Sequence, residues 1–105
     1  MDIHMVINMF AETNRLRIIS VLFEKSLTVG EITEVLNLKQ ANTSRHLSKL
    51  YEAGLVDRIQ NKKSVTYFLD EEYKANCQII RPVLEAFRSY DIGEEDLQNL
   101  KKLIK

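Results

Sequence analysis

Polar and basic side chains that can read DNA bases lie close together between Lys39 and Lys49. An arginine can donate two hydrogen bonds to the edge of a guanine, asparagine and glutamine can pair with adenine, and small residues let a helix sit deep in the major groove. This segment is therefore predicted to contact double-stranded DNA. The base or near-base contacts are predicted to come from Gln40, Asn42, Ser44 and Arg45. Contacts with phosphates are predicted to come from Lys39 and Lys49, with His46 at the side of the same face.

Positive charge is concentrated in this region, although the formal net charge of the whole chain is +0 at pH 7. Residues 39–63 contain six Lys or Arg and two Asp or Glu, which leaves +4 there and −4 in the rest of the chain. Lys62 and Lys63 lie at a predicted hairpin tip, from which they can reach a phosphate backbone or a minor groove. The alternative is an ordinary solvated helix face and loop, which accounts for the lysines alone better than for their combination with the turn, the glycine stop and the hairpin.

The helices before this segment are predicted from apolar spacing and from residues that start and stop helices. Residues 3–10 form a first helix, and a second helix follows Thr13, which favours the N-cap position. Thr28 and Glu31 have the spacing of a capping box that opens a third helix. Asn37 tolerates the left-handed conformation that would end it.

The segment from Gln40 is predicted to be the second helix of a helix-turn-helix, followed by a β-hairpin. Gly54 has the position of a glycine C-cap, with Leu55 as its hydrophobic contact. Residues 56–60 and 65–69 are rich in β-branched and aromatic residues and flank a polar loop, which is typical of a hairpin. The predicted fold is a winged helix-turn-helix, mainly α with a small β-hairpin, in one domain over residues 1–105. The apolar stripe of the helix from Gln40 is predicted to be Thr43, Leu47 and Leu50.

Two further helices are predicted after the hairpin. The segment from Asp70 to Tyr90 carries two parallel apolar stripes, which indicates that this helix packs against two partners. Pro82 lies on its polar side, so we expect a kink there, with a break as the alternative. The last helix is predicted to follow Gly93, with the acidic residues 94–96 suited to its positive N-terminal end.

Three segments of the chain together resemble the ArsR/SmtB family of small winged-helix repressors, over about residues 10 to 70. They are FAETNRLRIISVL, LNLKQANTSRHLSKLYEAGLV and the hairpin ending VTYFL, of which SRHLSKLYEAGLV is the most specific. The resemblance implies a homodimer, built from the N-terminal and C-terminal helices, that binds an inverted-repeat operator. It also implies that an inducer relieves repression.

The chain departs from the family at the positions where its metal-sensing members bind metal. Thr28 and Gly30 stand where members that sense arsenic, cadmium or lead carry a Cys-x-Cys pair. Members that sense zinc, nickel or cobalt use Asp and His in the long later helix, whereas residues 70–90 contain no histidine. We therefore predict neither of these metal sites and no cofactor.

Cys77, the one cysteine of the chain, has three interpretations. A free cysteine behaves as a small hydrophobic residue, so Cys77 would pack in a core or in a subunit interface. Alternatively, the two Cys77 thiols of a dimer lie near the dyad and respond to oxidant or reactive sulfur. A metal site between subunits, built from His4 and Cys77, is a further alternative.

These features predict a cytoplasmic, sequence-specific DNA-binding transcriptional regulator, and specifically a homodimeric repressor. The alternative is a winged-helix module that binds a protein partner and does not bind DNA. The sequence has no glycine-rich phosphate loop and no nucleophile elbow, so an enzyme is not expected. It also has no long apolar run and no signal-peptide start, so neither a membrane span nor export is expected.

Overall fold

The helix-turn-helix and the β-hairpin lie in the middle of the chain, with helices before and after them. The computed structural model describes residues 2–71, 74 and 78–104. The helices of the described part are α1 (Ile3–Phe10), α2 (Thr13–Glu24), α3 (Val29–Leu36), α4 (Gln40–Glu52), α5 (Ile80–Arg88) and α6 (Asp91–Ile104). The strands are β1 (Leu27–Thr28), β2 (Val56–Gln60) and β3 (Val65–Leu69). The predicted fold class, a mainly α winged helix-turn-helix, is confirmed.

α3 begins and ends where the sequence predicts. Thr28 Oγ1 accepts a hydrogen bond of 3.1 Å from the backbone N–H of Glu31, and Glu31 Oε1 accepts one of 2.9 Å from the backbone N–H of Thr28. Asn37 has a left-handed backbone with a φ of 54°. The capping box and the C-cap are both confirmed, and the turn that follows them leads into α4.

The start of α2 differs from the prediction by one residue. Its N-cap is Glu12, whose Oε1 accepts a hydrogen bond of 2.7 Å from the backbone N–H of Asn14, and Thr13 is the first helical residue. The longer side chain of Glu12 also reaches α4, where its Oε2 lies 3.0 Å from His46 Nε2. Glu12 therefore caps α2 and contacts the helix-turn-helix at the same time.

α4 ends in the predicted glycine cap. Gly54 has a φ of 80°, and the N–H of Leu55 donates a hydrogen bond of 3.0 Å to the backbone oxygen of Leu50. The Leu55 side chain is fully buried. This pattern is a Schellman motif, which turns the chain from the helix into the first strand of the wing.

The hairpin forms the predicted wing and gains a third strand. β3 lies between β1 and β2 and is antiparallel to both, with Leu27 opposite Tyr67 and Val56 opposite Leu69. The two residues of β1 are too few to show the alternation by which a strand is recognised in a sequence, so only the hairpin is predictable.

The segment after the hairpin is not one continuous helix, and the prediction of a kink at Pro82 is wrong. Gln78 and Ile79 form a turn, and α5 begins at Ile80, so the alternative of a break applies. Pro82 then lies in the first turn of α5. The N–H that proline lacks would have no partner within the helix at that position, so the residue costs no hydrogen bond there.

α6 begins at Asp91, before Gly93 and not after it as predicted. Gly93 is buried, and a Cβ at this position would collide with the backbone of Phe87. Glycine here therefore permits a close approach of α6 to the end of α5 and does not mark a helix start.

The hydrophobic core is centred on α2. Ile18 and Ile19 of α2 are fully buried in one cluster with Leu47 of α4 and Leu84 of α5. α6 packs against α2, α3 and α5. Within the described ranges, no helix is both long enough and apolar enough to cross a membrane.

Candidate nucleic-acid interface

α4 turns one face to the core and the other to solvent. Thr43, Leu47 and Leu50 are buried, as predicted, and the Thr43 hydroxyl donates a hydrogen bond of 3.3 Å to the backbone oxygen of Lys39. Six of the predicted contact residues lie outside this buried stripe, and we call these six the reader face. Five of them are exposed and Asn42 is half-buried. The exposed members are Lys39, Gln40, Ser44, Arg45 and Lys49.

The N-terminal end of α4 is suited to an anion. Its N-cap is Lys39, whose side chain makes no capping hydrogen bond, and its first turn carries no acidic residue. The first N–H groups of a helix have no partner within that helix, and the helix dipole adds positive potential there. A phosphate group can accept hydrogen bonds at such an end.

The wing loop is shaped by Asn61. Its Oδ1 accepts hydrogen bonds of 3.1 Å from the backbone N–H of Lys63, and of 3.0 and 3.2 Å from the backbone N–H and the hydroxyl of Ser64. Lys62 and Lys63 are exposed at the tip, where the sequence places them. The sequence signal for this arrangement is an asparagine at the start of a polar loop, since its side chain often bonds to the backbone two residues later.

Arg58 joins the wing to the C-terminal part of α4. Its guanidinium carbon lies 4.0 Å from the centre of the Tyr51 ring, and its Nη1 donates a hydrogen bond of 3.2 Å to Tyr67 Oη. A guanidinium stacked on an aromatic ring is attracted to the negative face of that ring. Arg58 thus connects α4 with both strands of the hairpin, a role that sequence spacing does not reveal.

His46 does not lie on the reader face. The residue is 5% exposed, and its Nε2 lies 3.0 Å from Glu12 Oε2. It falls on the side of α4 that carries Leu47 and Leu50, and it meets the N-cap of α2. The ring of His46 is thus buried beside Glu12 and is not exposed at the side of the reader face, where the sequence predicts it.

The contact between His46 and Glu12 is short but incompletely hydrogen-bonded. In the described part of the chain, neither His46 Nδ1 nor Glu12 Oε2 has a hydrogen bond of acceptable geometry. Burial lowers the pKa of His46, while the Glu12 carboxylate acts in the opposite direction. The positive charges of Arg45, Arg15 and Lys49 lower the pKa of His46 further. The neutral imidazole is therefore favoured inside the fold.

The residues considered for sensing are placed as follows. Cys77 lies outside the described residues. His4 is exposed on α1. Thr28 is engaged as the N-cap of α3, and Gly30 is exposed in the first turn of that helix. Among residues 2–71, 74 and 78–104, no three His, Cys, Asp or Glu side chains converge as ligands of a metal ion.

A protein-family model matches the central part of the chain. The model is described as "Bacterial regulatory protein, arsR family", and it matches residues 12–58. This range runs from the N-cap of α2 into β2 and contains the whole helix-turn-helix.

Two curated bacterial regulators are similar in sequence. The transcriptional activator HlyU of Vibrio cholerae is 35% identical over 71 residues, which are 67% of this chain and 66% of HlyU. The cadmium resistance transcriptional regulatory protein CadC of Listeria innocua is 37% identical over 60 residues, which are 56% of this chain and 50% of CadC. The chain thus spans between about half and two thirds of the length of these relatives.

Solved structures of similar proteins share the winged helix-turn-helix fold. The structure of HlyU from Vibrio cholerae has a TM-score of 0.70 and 30% identity, and the match covers 80% of this chain and 89% of HlyU. The transcriptional repressor BigR from Xylella fastidiosa has a TM-score of 0.71 and 26% identity, and the match covers 81% of this chain and 85% of BigR.

Proposed function

The chain belongs to the ArsR family of bacterial regulatory proteins, and from this we propose that it is a homodimeric, sequence-specific DNA-binding repressor that an inducer releases from DNA. The observation that carries the proposal is the reader face. It places exposed basic, amide and hydroxyl side chains on the second helix of a helix-turn-helix, outside a fully buried stripe. Such a face has the donors and acceptors that base edges present in a major groove.

Within this proposal α4 enters the major groove, and its side chains make two kinds of contact. Contacts with phosphates fix the orientation of the protein on the duplex, and contacts with base edges supply specificity. The base or near-base contacts come from Gln40, Asn42, Ser44 and Arg45. The phosphate contacts come from Lys39, Lys49, Lys62 and Lys63, together with the N-terminal N–H groups of α4.

Exposed apolar side chains near both ends of the chain support a homodimer built from the terminal helices. Ile3 and Ile7 of α1 are 45% and 55% exposed. Tyr90, between α5 and α6, is 67% exposed, and Ile104 of α6 is 53% exposed. A second subunit that covers such residues would remove apolar surface from water. A two-fold dimer would also present two copies of α4 to an inverted-repeat operator.

Repression, rather than activation, is part of the proposal. HlyU is named an activator and BigR a repressor, so membership of the family leaves the direction of regulation to experiment. A reporter gene placed behind the DNA upstream of the chain's own gene should be expressed more strongly when the protein is deleted. A fall in expression would make the protein an activator.

Fluorescence anisotropy with that upstream DNA tests DNA reading directly. The wild-type protein should prefer it over a random duplex, and its affinity for both should fall steeply as the salt concentration rises. Lys63→Ala should flatten the plot of log affinity against log salt by about 0.9 for the lost phosphate contact. Lys101→Ala removes the same charge from an exposed position of α6 and should leave the slope unchanged.

The same assay separates the proposal from its alternative. A protein-interaction module without DNA binding would show neither a preference for the upstream duplex nor a steep loss of affinity with salt.

A further inference from the structure

We propose that α6 holds the turn between α3 and α4 in place, through the side chains of Asp96 and Asn99. This inference rests on the proposed DNA-binding function, because the turn sets the position of α4 and of its reader face. α6 lies outside residues 12–58, which the family model matches. The observation that carries the inference is the way in which α3 satisfies its last backbone carbonyl groups, which have no partner within the helix.

The turn itself satisfies the first two of these carbonyl groups. The N–H of Leu38 donates a hydrogen bond of 3.2 Å to Thr33 O, and the N–H of Asn37 donates one of 3.3 Å to Glu34 O. Both bonds are local and follow from the left-handed conformation of Asn37. They leave the carbonyl groups of the last two helical residues for partners from elsewhere.

Distant side chains satisfy the carbonyl groups of Val35 and Leu36. Arg17 of α2 donates a hydrogen bond of 2.7 Å from Nη2 to Leu36 O. Asn99 of α6 donates one of 3.2 Å from Nδ2 to Val35 O. The guanidinium also places a positive charge at the C-terminal end of α3, where the helix dipole favours a cation.

Asp96 of α6 orients Arg17. Arg17 Nε and Nη2 donate hydrogen bonds of 2.9 and 3.0 Å to the two carboxylate oxygens, and Nη1 donates one of 3.1 Å to Asn14 Oδ1. Asp96 is 1% exposed. The bidentate pair fixes the plane of the guanidinium, so that Nη2 also reaches Leu36 O. Asp96 is thus a positioning residue that acts on the turn through Arg17.

The contact between α6 and α3 is not a continuous apolar interface. A cleft of about 570 Å³ lies between the two helices, and Asn37, Asn99 and Lys102 are among the residues that line it. The hydrogen bond from Asn99 crosses this region to the end of α3. We therefore expect the loss of that bond to act on the nearby turn more than on the packing of the core.

Two variants with matched controls test the inference. Asp96→Asn keeps the shape of the side chain but removes the charge that orients Arg17, and Asn99→Ala removes the donor to Val35 O. Glu95→Gln and Gln98→Ala make the same two chemical changes at neighbouring exposed positions of α6. Each protein is measured by amide hydrogen exchange at residues 37–40 and by affinity for the preferred and for a random duplex.

Both test variants should fold and exchange faster at residues 37–40 than the wild type. Their affinity for the preferred duplex should fall by about 3- to 10-fold, the range expected when one such hydrogen bond is lost. Their affinity for a random duplex should change little, because the lysines that contact phosphates are retained. Both controls should behave as the wild type.

Test variants that match their controls in amide exchange and in specific affinity would overturn the inference. A loss of stability with an unchanged ratio of specific to random affinity would also overturn it, since the two residues would then only stabilise the fold. The exchange measurement needs no DNA. A wild-type protein that lacks any DNA preference would therefore refute the proposed function, and amide exchange would still decide whether α6 orders the turn.

Discussion

Two side-chain pairs attach the helix-turn-helix to the rest of the molecule, Arg17 with Asp96 and His46 with Glu12, and they differ in how completely they are hydrogen-bonded. The carboxylate oxygens of Asp96 both accept hydrogen bonds from Arg17, whose guanidinium also bonds to Asn14 and to the end of α3. The pair of His46 and Glu12 has one contact of 3.0 Å, and His46 Nδ1 has no hydrogen-bond partner among the described residues.

The difference separates a pair held by several hydrogen bonds from a pair held by one contact. A fully hydrogen-bonded bidentate pair favours one arrangement of its two elements, and arginine stays charged at any pH the protein meets. A buried histidine with a lowered pKa takes up its proton only at a lower pH than a free imidazole does. The Arg17 and Asp96 pair therefore holds the turn before α4 in one arrangement. The His46 and Glu12 pair makes the packing of α4 against the start of α2 sensitive to pH.

The largest loss of stability should follow from breaking the pair of Arg17 and Asp96. Asp96→Ala leaves the buried guanidinium of Arg17 without its counter-charge, and removal of one partner from a buried pair typically costs about 3 to 5 kcal/mol of the free energy of unfolding. Urea denaturation measures this loss. Glu95→Ala, at an exposed position on the same helix, should stay within about 0.5 kcal/mol of the wild type. Equal stability of the two variants would show that the pair does not hold α6 in place.

A smaller loss of stability should come from protonation of His46. Burial lowers the pKa of His46 from its ordinary value of 6.5. As the pH falls below 6.5, the unfolded chain takes up the proton before the folded chain does, so stability decreases until the folded His46 is protonated too. Denaturation midpoints at pH 7.5 and 5.5 measure this decrease.

The matched variant for this measurement is His46→Gln, which cannot titrate. Its stability should depend less on pH between 7.5 and 5.5 than that of the wild type. Identical pH dependence in both proteins would contradict the lowered pKa of His46.

As the pH falls, the contribution of Asp96 to stability should change in the opposite direction to that of His46. Burial raises its pKa above 3.8, and the Arg17 guanidinium opposes that rise. The folded chain then takes up this proton before the unfolded chain does, so the contribution of Asp96 to stability is largest below pH 3.8 and is lost as the pH rises through its folded pKa. His46 and Asp96 thus contribute to the pH dependence of stability with opposite signs.

Features that depend on neighbouring residues were predictable from the sequence. The capping box of Thr28 and Glu31, the left-handed Asn37 and the cap at Gly54 each join residues at most a few positions apart. Their geometry follows from the side chains and backbone of those residues, whatever surrounds them. The order of turn, basic helix and hairpin, and with it the fold class, rests on such local signals.

Features that depend on distant contacts were not predictable. The hydrogen bonds between Arg17 and Asp96 join residues 79 positions apart. From spacing alone, Asp96 is predicted only as an acidic residue suited to a helix N-terminus. His46 has the polarity of a surface residue, but it is buried and lies 3.0 Å from Glu12, the N-cap of α2. α5 and α6 also contact α2, which is distant in the sequence, and spacing alone does not reveal those contacts.

The most direct test of the central claim, that the exposed face of α4 reads bases, is competition binding with every single base-pair variant of the preferred duplex. Wild-type protein and Arg45→Ala are compared, with Arg81→Ala as a control for the loss of an exposed arginine elsewhere. Arg45→Ala should lose about 1 to 3 kcal/mol of discrimination at one base position and keep it at the others. Arg81→Ala should keep the wild-type pattern. If Arg45→Ala discriminates among all the duplexes as the wild type does, α4 does not read DNA through Arg45, and the proposed interface is wrong.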